Sequence, residues 1–335
     1  MSLLRSAWNW MDEAPRHRTG LRALQAAIGI ALLFRISTEG MFARFLWGPH
    51  GIARDALRIY GPTVQSLHQR VFSTDAGTFL VLAVLALGAF GLVAGLSSRL
   101  WVCLALVGTT FLGARTAWLN DGGDNITSIV LTYMLLVVPP DRETRPRSLS
   151  VWLHNIGVVA ITTQVLILYF TSGMAKARGD VWVDGTALYY ISQVETFSHP
   201  AMREIFKHEI VTTLASHATM LHQVWLPVAF FSRLKLPWLC LGICFHLGVA
   251  GFMGLVAFST VMVGLELFLI TDSEYEQIGA SLSRFRGRLS GMRNAVLRGR
   301  PGNQIEAGVP ALAHAAQPEG EPIVVMERNV VKENI

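Results

Sequence analysis

The chain alternates between long apolar runs and short polar connections over residues 21–270. A helix that crosses the hydrocarbon core of a bilayer needs about 20 mostly apolar residues. Eight runs approach or reach this length, and the fourth, seventh and eighth are the short ones. They are Leu21–Ser37, Thr78–Leu96, Leu100–Trp118, Ile126–Val138, Val151–Met174, Ile210–Phe231, Trp238–Phe252 and Leu255–Ile270. Because no strand-type alternation is evident, these runs predict an all-α, polytopic transmembrane helix bundle of about eight spans.

The composition supports an integral membrane protein. Of the 335 residues, 52% are hydrophobic and 15% are charged, whereas soluble domains carry about 25% charged residues. The net charge of +5 does not indicate a nucleic-acid partner, because the basic residues lie mainly where a membrane protein needs them, on one side of the bilayer. The expected partner is the lipid bilayer, and no metal site is predicted.

Arginines beside the apolar runs predict the orientation, since cytoplasmic loops carry an excess of Lys and Arg. Arg16 and Arg18 precede the first run, and arginines also lie near residue 99, at 142–147 and at 284–300. Both termini are therefore expected in the cytoplasm, in an inner or plasma membrane. The loops 38–77, 120–125 and 175–209 then face outward. Loop 38–77 is the discordant one, because it also contains arginines.

The chain is predicted to divide into four parts. Residues 1–20 form a polar cytoplasmic segment, and residues 21–271 form the transmembrane domain. Residues 272–300 read as a basic amphipathic helix on the anionic cytoplasmic leaflet. Residues 301–335 have the composition of a disordered tail.

Lys176 is the most informative ionisable residue. It follows an apolar run directly, and an ammonium at that depth is costly unless it reaches the interface, finds a partner or has a function. A lysine held away from water can act as a base. The alternative is an anchoring lysine, or an ion pair with Asp180 one helical turn later.

Other polar residues within the apolar runs are also candidates for a function, and each has a structural alternative. Arg35 is expected to reach the outer interface, and Arg115 to pair with Asp121 or Asp124. Glu266 is expected to pair with an arginine, and His246 to be a packed polar residue. The loop 120–125 is either a site at the mouth between two spans or a hydrophilic turn that caps the next helix.

Several segments together resemble the membrane domain of the vitamin K-dependent γ-carboxylase, which is shared with bacterial HTTM (horizontally transferred transmembrane) proteins. The segments are Tyr169-Phe170-Thr171-Ser172-Gly173-Met174-Ala175-Lys176 with Asp180-Val181-Trp182-Val183-Asp184-Gly185, and Phe245-His246-Leu247 with Met253-Gly254-Leu255-Val256-Ala257-Phe258-Ser259. The turn Gly48-Pro49-His50-Gly51 and the loop Asp121-Gly122-Gly123-Asp124-Asn125 also resemble the bacterial branch. The resemblance covers about residues 15–275.

The resemblance implies a chemistry. In the carboxylase, the lysine of this motif takes a proton from reduced vitamin K, and the subsequent reaction with oxygen yields a base strong enough to deprotonate a glutamate γ-carbon for attack on CO₂. It therefore implies a reduced quinone as cofactor and an exported peptide as substrate, with Lys176, His246 and Asn125 as the catalytic residues. The residues expected to line the site are Asp121, Asp124, Arg115, Tyr169, Asp180 and Trp182.

Two departures weaken the implied carboxylation of glutamate. Asn125 stands where the family enzyme has a histidine that supports the lysine, and an amide cannot shuttle protons at neutral pH. We also expect the chain to lack the large extracytoplasmic domain of the animal enzyme. Two alternatives to an enzyme therefore stay open: a non-catalytic membrane partner in the maturation or export of a peptide toxin, and a transporter subunit.

Overall fold

The computed structural model describes residues 2–52, 61–96, 98–116, 120–137 and 148–298. Within these ranges the regular secondary structure is entirely helical, so the predicted all-α class is confirmed. The helices are α1 (Ser2–Asp12), α2 (Arg18–Glu39), α3 (Ala43–Leu46), α4 (Pro62–Val71), α5 (Asp75–Ala94), α6 (Arg99–Arg115), α7 (Gly122–Met134), α8 (Leu149–Lys176), α9 (Asp180–Val183), α10 (Ala187–Ser192), α11 (Pro200–Phe206), α12 (Glu209–Phe230), α13 (Lys235–Met253), α14 (Val256–Leu269) and α15 (Asp272–Arg298). Short 3₁₀ turns lie at Gly40–Phe42 and Glu195–Phe197.

Each of the eight apolar runs corresponds to one helix, namely α2, α5, α6, α7, α8, α12, α13 or α14. Among the described residues, four helical stretches are long and apolar enough to cross a membrane: Arg18–Leu46, Asp75–Ala94, Leu149–Lys176 and Lys235–Met253. The number rises to five if α14 and α15 count together as one broken span. The structure thus supports a membrane protein with four or five candidate spans.

The boundary between α13 and α14 lies at Gly254. In the structure α13 continues through Gly251, and Gly254 ends it with φ of 70°. This left-handed conformation carries little steric cost for glycine, which lacks a Cβ atom.

The helices of the unit Met1–Ser281 pack in one continuous series. Helix α5 packs against both α6 and α2, and α2 packs extensively against α14. Helix α14 packs against α13, and α12 packs against both α13 and α8. Helix α7 contacts α6, α8 and α14. The outward side of α5 is apolar, with Leu80, Leu87 and Phe90 more than half exposed, as suits contact with lipid.

The N-terminal segment, predicted only as polar, contains helix α1, which packs against α8. The side-chain amide of Asn155 on α8 donates to the carbonyls of Met11 and Ala14, both at 2.9 Å. His154 Nε2 lies 2.8 Å from the carbonyl oxygen of Arg16. Two polar side chains of α8 therefore bind the backbone at the end of α1 and after it, and fix it against this helix.

The second unit, Leu282–Ile335, is described only as far as residue 298, within α15. Leu282, Phe285 and Leu289 are exposed and recur at a helical spacing along α15. Its location on a membrane surface remains a prediction. The tail 301–335 and the arginines at 54, 58, 142, 145 and 147 lie outside the described residues.

Candidate functional site

A cavity of about 520 Å³ lies among α8, α12, α13 and α14. Side chains of the connection between α8 and α12, including Trp182 of α9 and Met202 of α11, form another part of its wall. Most of the lining is apolar, and a few polar groups interrupt it. This volume and this kind of lining are typical of sites for small organic ligands.

Helix α8 brings three polar side chains to the cavity on one helical face. Tyr169, Ser172 and Lys176 are spaced i, i+3 and i+7, and all three line the cavity. Because a helix rises 1.5 Å per residue, Tyr169 and Lys176 are about 10.5 Å apart along the axis. Helix α8 therefore presents one polar group at its end and another two turns deeper.

The Lys176 amine is half-buried between a hydroxyl group and an aromatic ring. Its Nζ donates to Ser172 Oγ at 3.0 Å and lies 5.3 Å from the centre of the Trp182 ring. Asp180, the alternative partner, is exposed. Among the described residues no carboxylate forms an ion pair with Lys176, so the geometry gives no support to a Lys176–Asp180 pair.

Tyr169 joins the cavity to a second polar group deeper in the bundle. Its hydroxyl donates to Glu266 Oε1 at 2.6 Å and lies 2.9 Å from His246 Nε2. A phenol carries one proton, so donation to Glu266 requires His246 Nε2–H to donate to the Tyr169 oxygen. Glu266 therefore has Tyr169 as its partner, and the expected pairing with an arginine is wrong.

His222 lies beside the same group and was not predicted to belong to it. Its ring stacks on Trp238 at 5.5 Å and meets Tyr169 edge-on at 6.2 Å. Gly242 of α13 makes room for the group, because a Cβ atom there would lie 3.0 Å from His222 Nε2. We call Tyr169, Glu266, His246 and His222 the deep cluster.

Asp121 and Asp124 lie at the start of α7 and do not line the cavity that contains Lys176, although Gly122 between them does. Asp121 caps the helix by accepting from the Asp124 N–H at 2.9 Å, and Asp124 accepts from the Asp121 N–H at 3.2 Å. Arg35 pairs with Asp124 and with Glu39, so it is held by carboxylates and does not simply reach for the interface. These side chains line a separate cavity of about 150 Å³.

Arg115 and Asn125 are two further predicted site residues that the structure does not bring to the cavity. Arg115 is buried and donates to the carbonyls of Trp47 and Gly48 at 3.2 and 2.8 Å. Asn125 is exposed on α7. Neither residue lines the cavity that contains Lys176. The structure thus brings together Lys176, Tyr169, Trp182 and His246, but it does not bring the other five predicted residues to them.

A model of the HTTM domain matches residues 69–273, which is more than half of the chain. The chain belongs to the HTTM family. The matched region contains α8 to α14, and therefore every helix around the larger cavity. Membership makes it a membrane-associated protein of the family that contains the γ-carboxylase membrane domain.

The HTTM relatives include the uncharacterized protein YitO of Bacillus subtilis strain 168. The two sequences are 30% identical over 205 residues, which cover 51% of this chain and 66% of YitO. The chain thus spans slightly less than two thirds of that relative's length. No solved structure matches the chain.

Proposed function

We propose that this HTTM protein is a membrane enzyme that uses a reduced quinone to modify an exported peptide, with Lys176 as the base. The single observation that carries the proposal is the position of the Lys176 amine at a mostly apolar cavity, with Ser172 and Trp182 as its contacts. An amine in such a site can take a proton from a ligand, whereas an amine paired with a carboxylate is held in its charged form.

The residues around the cavity fit a lipid-soluble ring compound. Apolar side chains such as Leu168, Val249 and Phe258 would pack on its ring and tail, and Lys176 and Tyr169 would meet its polar atoms. A reduced quinone, once bound, supplies an acidic hydroxyl group and two electrons. Lys176 would take the proton, while Trp182 would hold the resulting ammonium over its ring face.

The proposal also includes the predicted membrane topology. Eight spans with both termini in the cytoplasm put the C-terminal end of α8, and hence Lys176, at the outer half of a cell membrane. A peptide that is being exported would meet the site there. A transporter subunit or a non-catalytic partner in peptide maturation would not need Lys176 to change its protonation state.

The test uses menadiol as a soluble reduced quinone and the full chain in lipid nanodiscs. The wild type should accelerate the oxygen-dependent conversion of menadiol to menadione, measured by absorbance. The Lys176→Arg variant should lower this acceleration by about 10²- to 10⁴-fold, the usual contribution of a catalytic base. Arginine keeps the positive charge but does not give up its proton under these conditions.

Lys207→Arg is the matched control, because Lys207 is an exposed lysine paired with Glu204 between α11 and α12. It should oxidise menadiol as the wild type does. Equal rates for Lys176→Arg, Lys207→Arg and the wild type, or no acceleration by any of them, would overturn the role of Lys176 as a base. A maturation partner should instead retain its function in the Lys176→Ala variant.

A further inference from the structure

The deep cluster contains more hydrogen-bonding groups than its neighbours satisfy. Glu266 is fully buried, His246 and His222 are nearly so, and Ser259 on the same helix as Glu266 is also buried. Within the described part of the chain, no hydrogen-bond partner meets Glu266 Oε2, His246 Nδ1, either ring nitrogen of His222 or Ser259 Oγ. Buried polar groups are nearly always hydrogen-bonded, so such a concentration calls for a functional explanation.

Two of the four side chains of the deep cluster border the cavity. Tyr169 and His246 line the cavity, whereas Glu266 and His222 do not and lie behind them. Tyr169 and His246 are hydrogen-bonded to each other, and Tyr169 also donates a hydrogen bond to Glu266. A continuous path of hydrogen bonds therefore leads from the cavity wall to a carboxyl group in the interior.

We propose that the deep cluster is a proton-exchange site in which Glu266 holds a proton received from the cavity through Tyr169. A hydroxyl group in the cavity would give its proton to the Tyr169 oxygen as the Tyr169 O–H bond breaks and an O–H bond forms at Glu266 Oε1. His246 would keep the Tyr169 oxygen in place by donating its Nε2–H to it. One proton moves inward, and no electrons are transferred.

Charge balance favours this function over a purely structural one. No described lysine or arginine forms an ion pair with Glu266, so the charge of a carboxylate there would be poorly compensated at this depth. A proton on Glu266, or on a neighbouring imidazole, removes that cost. The cluster is therefore stable with one shared proton, which is the property that a proton store needs.

The role toward a quinol rests on the proposed function. Lys176 and Tyr169 are two helical turns apart along the cavity, about 10.5 Å on the axis. A para-substituted quinol ring has one oxygen at each end, so Lys176 would serve the outer hydroxyl group and the deep cluster the inner one. Complete oxidation of a quinol releases two protons. Lys176 would accept one, and the deep cluster would accept the other after Glu266 has released its stored proton.

The exchange is tested by infrared spectroscopy of the full chain in nanodiscs, with glutamate labelled by ¹³C. The wild type should show a carbonyl band of a protonated glutamic acid that shifts when H₂O is replaced by D₂O. Glu266→Gln should abolish this band. Tyr169→Phe should keep the band but slow its deuterium shift by about a hundredfold, because the hydrogen-bonded carrier is lost.

Glu274→Gln is the matched control, because Glu274 is a carboxylate in an ion pair with Lys235 outside the cluster. It should leave the band and its exchange unchanged. A wild type without an exchanging glutamic acid band, or an unchanged exchange rate in Tyr169→Phe, overturns the proposal. A purely structural network would give the second of these results, with lowered thermal stability as its only effect.

The two proposals fail separately. If Lys176→Arg leaves menadiol oxidation unchanged while Glu266 exchanges through Tyr169, the proposed base is wrong and the proton-exchange site stands. If menadiol oxidation depends on Lys176 but Tyr169→Phe exchanges at the wild-type rate, the base stands and the exchange site is wrong.

Discussion

Gly242 determines how closely α13 approaches the deep cluster. A Cβ atom at this position would lie 2.8 Å from the carboxyl carbon of Glu266 and 3.0 Å from His222 Nε2. Gly242→Ala should therefore displace Glu266 from Tyr169 and lower the free energy of unfolding by about 1–3 kcal/mol, as overpacked cores do. Thermal unfolding in detergent, followed by size-exclusion chromatography, measures the effect.

Gly248→Ala is the control on the same helix. No atom outside its own helical turn lies within 4 Å of a Cβ atom built there. Alanine is the better helix former by about 0.5–1 kcal/mol, so this variant should be neutral or slightly stabilised. Equal losses in both variants would mean that α13 tolerates no alanine for reasons unrelated to Glu266.

The residues of the site differ in how far the sequence predicts them. Lys176, Tyr169 and Trp182 lie within one short motif, and the spacing of Tyr169 and Lys176 puts these two on one face of α8. Glu266 and His222 are each single polar residues in different apolar helices. Their proximity depends on how α12 and α14 pack against α8 and α13, and no local pattern encodes that packing.

The start of α2 has its cap supplied from another helix. His17 precedes α2 with φ of 55° and makes no side-chain cap. The Asp272 carboxylate instead accepts from the backbone N–H groups of Thr19 and Arg18 at 2.9 and 3.1 Å. A cap from a residue 253 positions away cannot be recognised from the local sequence, which is why only the polar character of this segment was predicted.

Asp272→Ala should destabilise the protein by about 1 kcal/mol, the usual cost of a lost N-cap. Glu276→Ala, at an exposed position on the same helix α15, should leave the melting temperature nearly unchanged. Thermal unfolding of both variants beside the wild type makes the comparison. A loss for Asp272→Ala no larger than for Glu276→Ala would show that the cap contributes nothing.

The stabilisation that the Asp272 cap provides should depend on pH, because the hydrogen bonds of the cap also change the pKa of Asp272. Burial acts to raise the pKa of Asp272, but the hydrogen bonds from Thr19 and Arg18 outweigh it and bring the pKa below its ordinary value of 3.8. A lowered pKa in the folded state stabilises the protein fully above the unfolded-state pKa, and this stabilisation is lost as pH falls through the folded-state pKa. The gap between wild type and Asp272→Ala should stay constant near neutral pH and shrink in acid.

At the scale of the whole molecule, the apolar pattern predicts where the helices lie better than it predicts how many of them cross the membrane. All eight runs form helices, but α7 has 13 residues and α14 has 14. At 1.5 Å per residue such helices are only about 20 Å long, against a hydrocarbon core of about 30 Å. Helix α12 is long enough, but His217, His222 and Gln223 make it more polar.

The predicted topology is tested at α12, because this helix separates the loop 175–209, which contains Lys176, from α13 and α14. If α12 crosses the membrane, a reporter after His208 is outside and a reporter after Ser232 is inside. Fusions truncated at these two positions should therefore give active alkaline phosphatase at the first and fluorescent GFP at the second. Fusions after Ser148 and after Ala177 are the control, since α8 between them is long and apolar enough to span.

An identical reporter pattern after His208 and Ser232 would mean that α12 does not cross. Lys176 and the start of α13 would then lie on the same side of the bilayer, and the arginine-based orientation would fail for every later helix. The cavity would keep its residues, because the packing of α8 against α12 does not depend on the side they face. The proposal that an exported peptide meets Lys176 at the outer surface would be lost if both reporters lay inside, and it would stand if both lay outside.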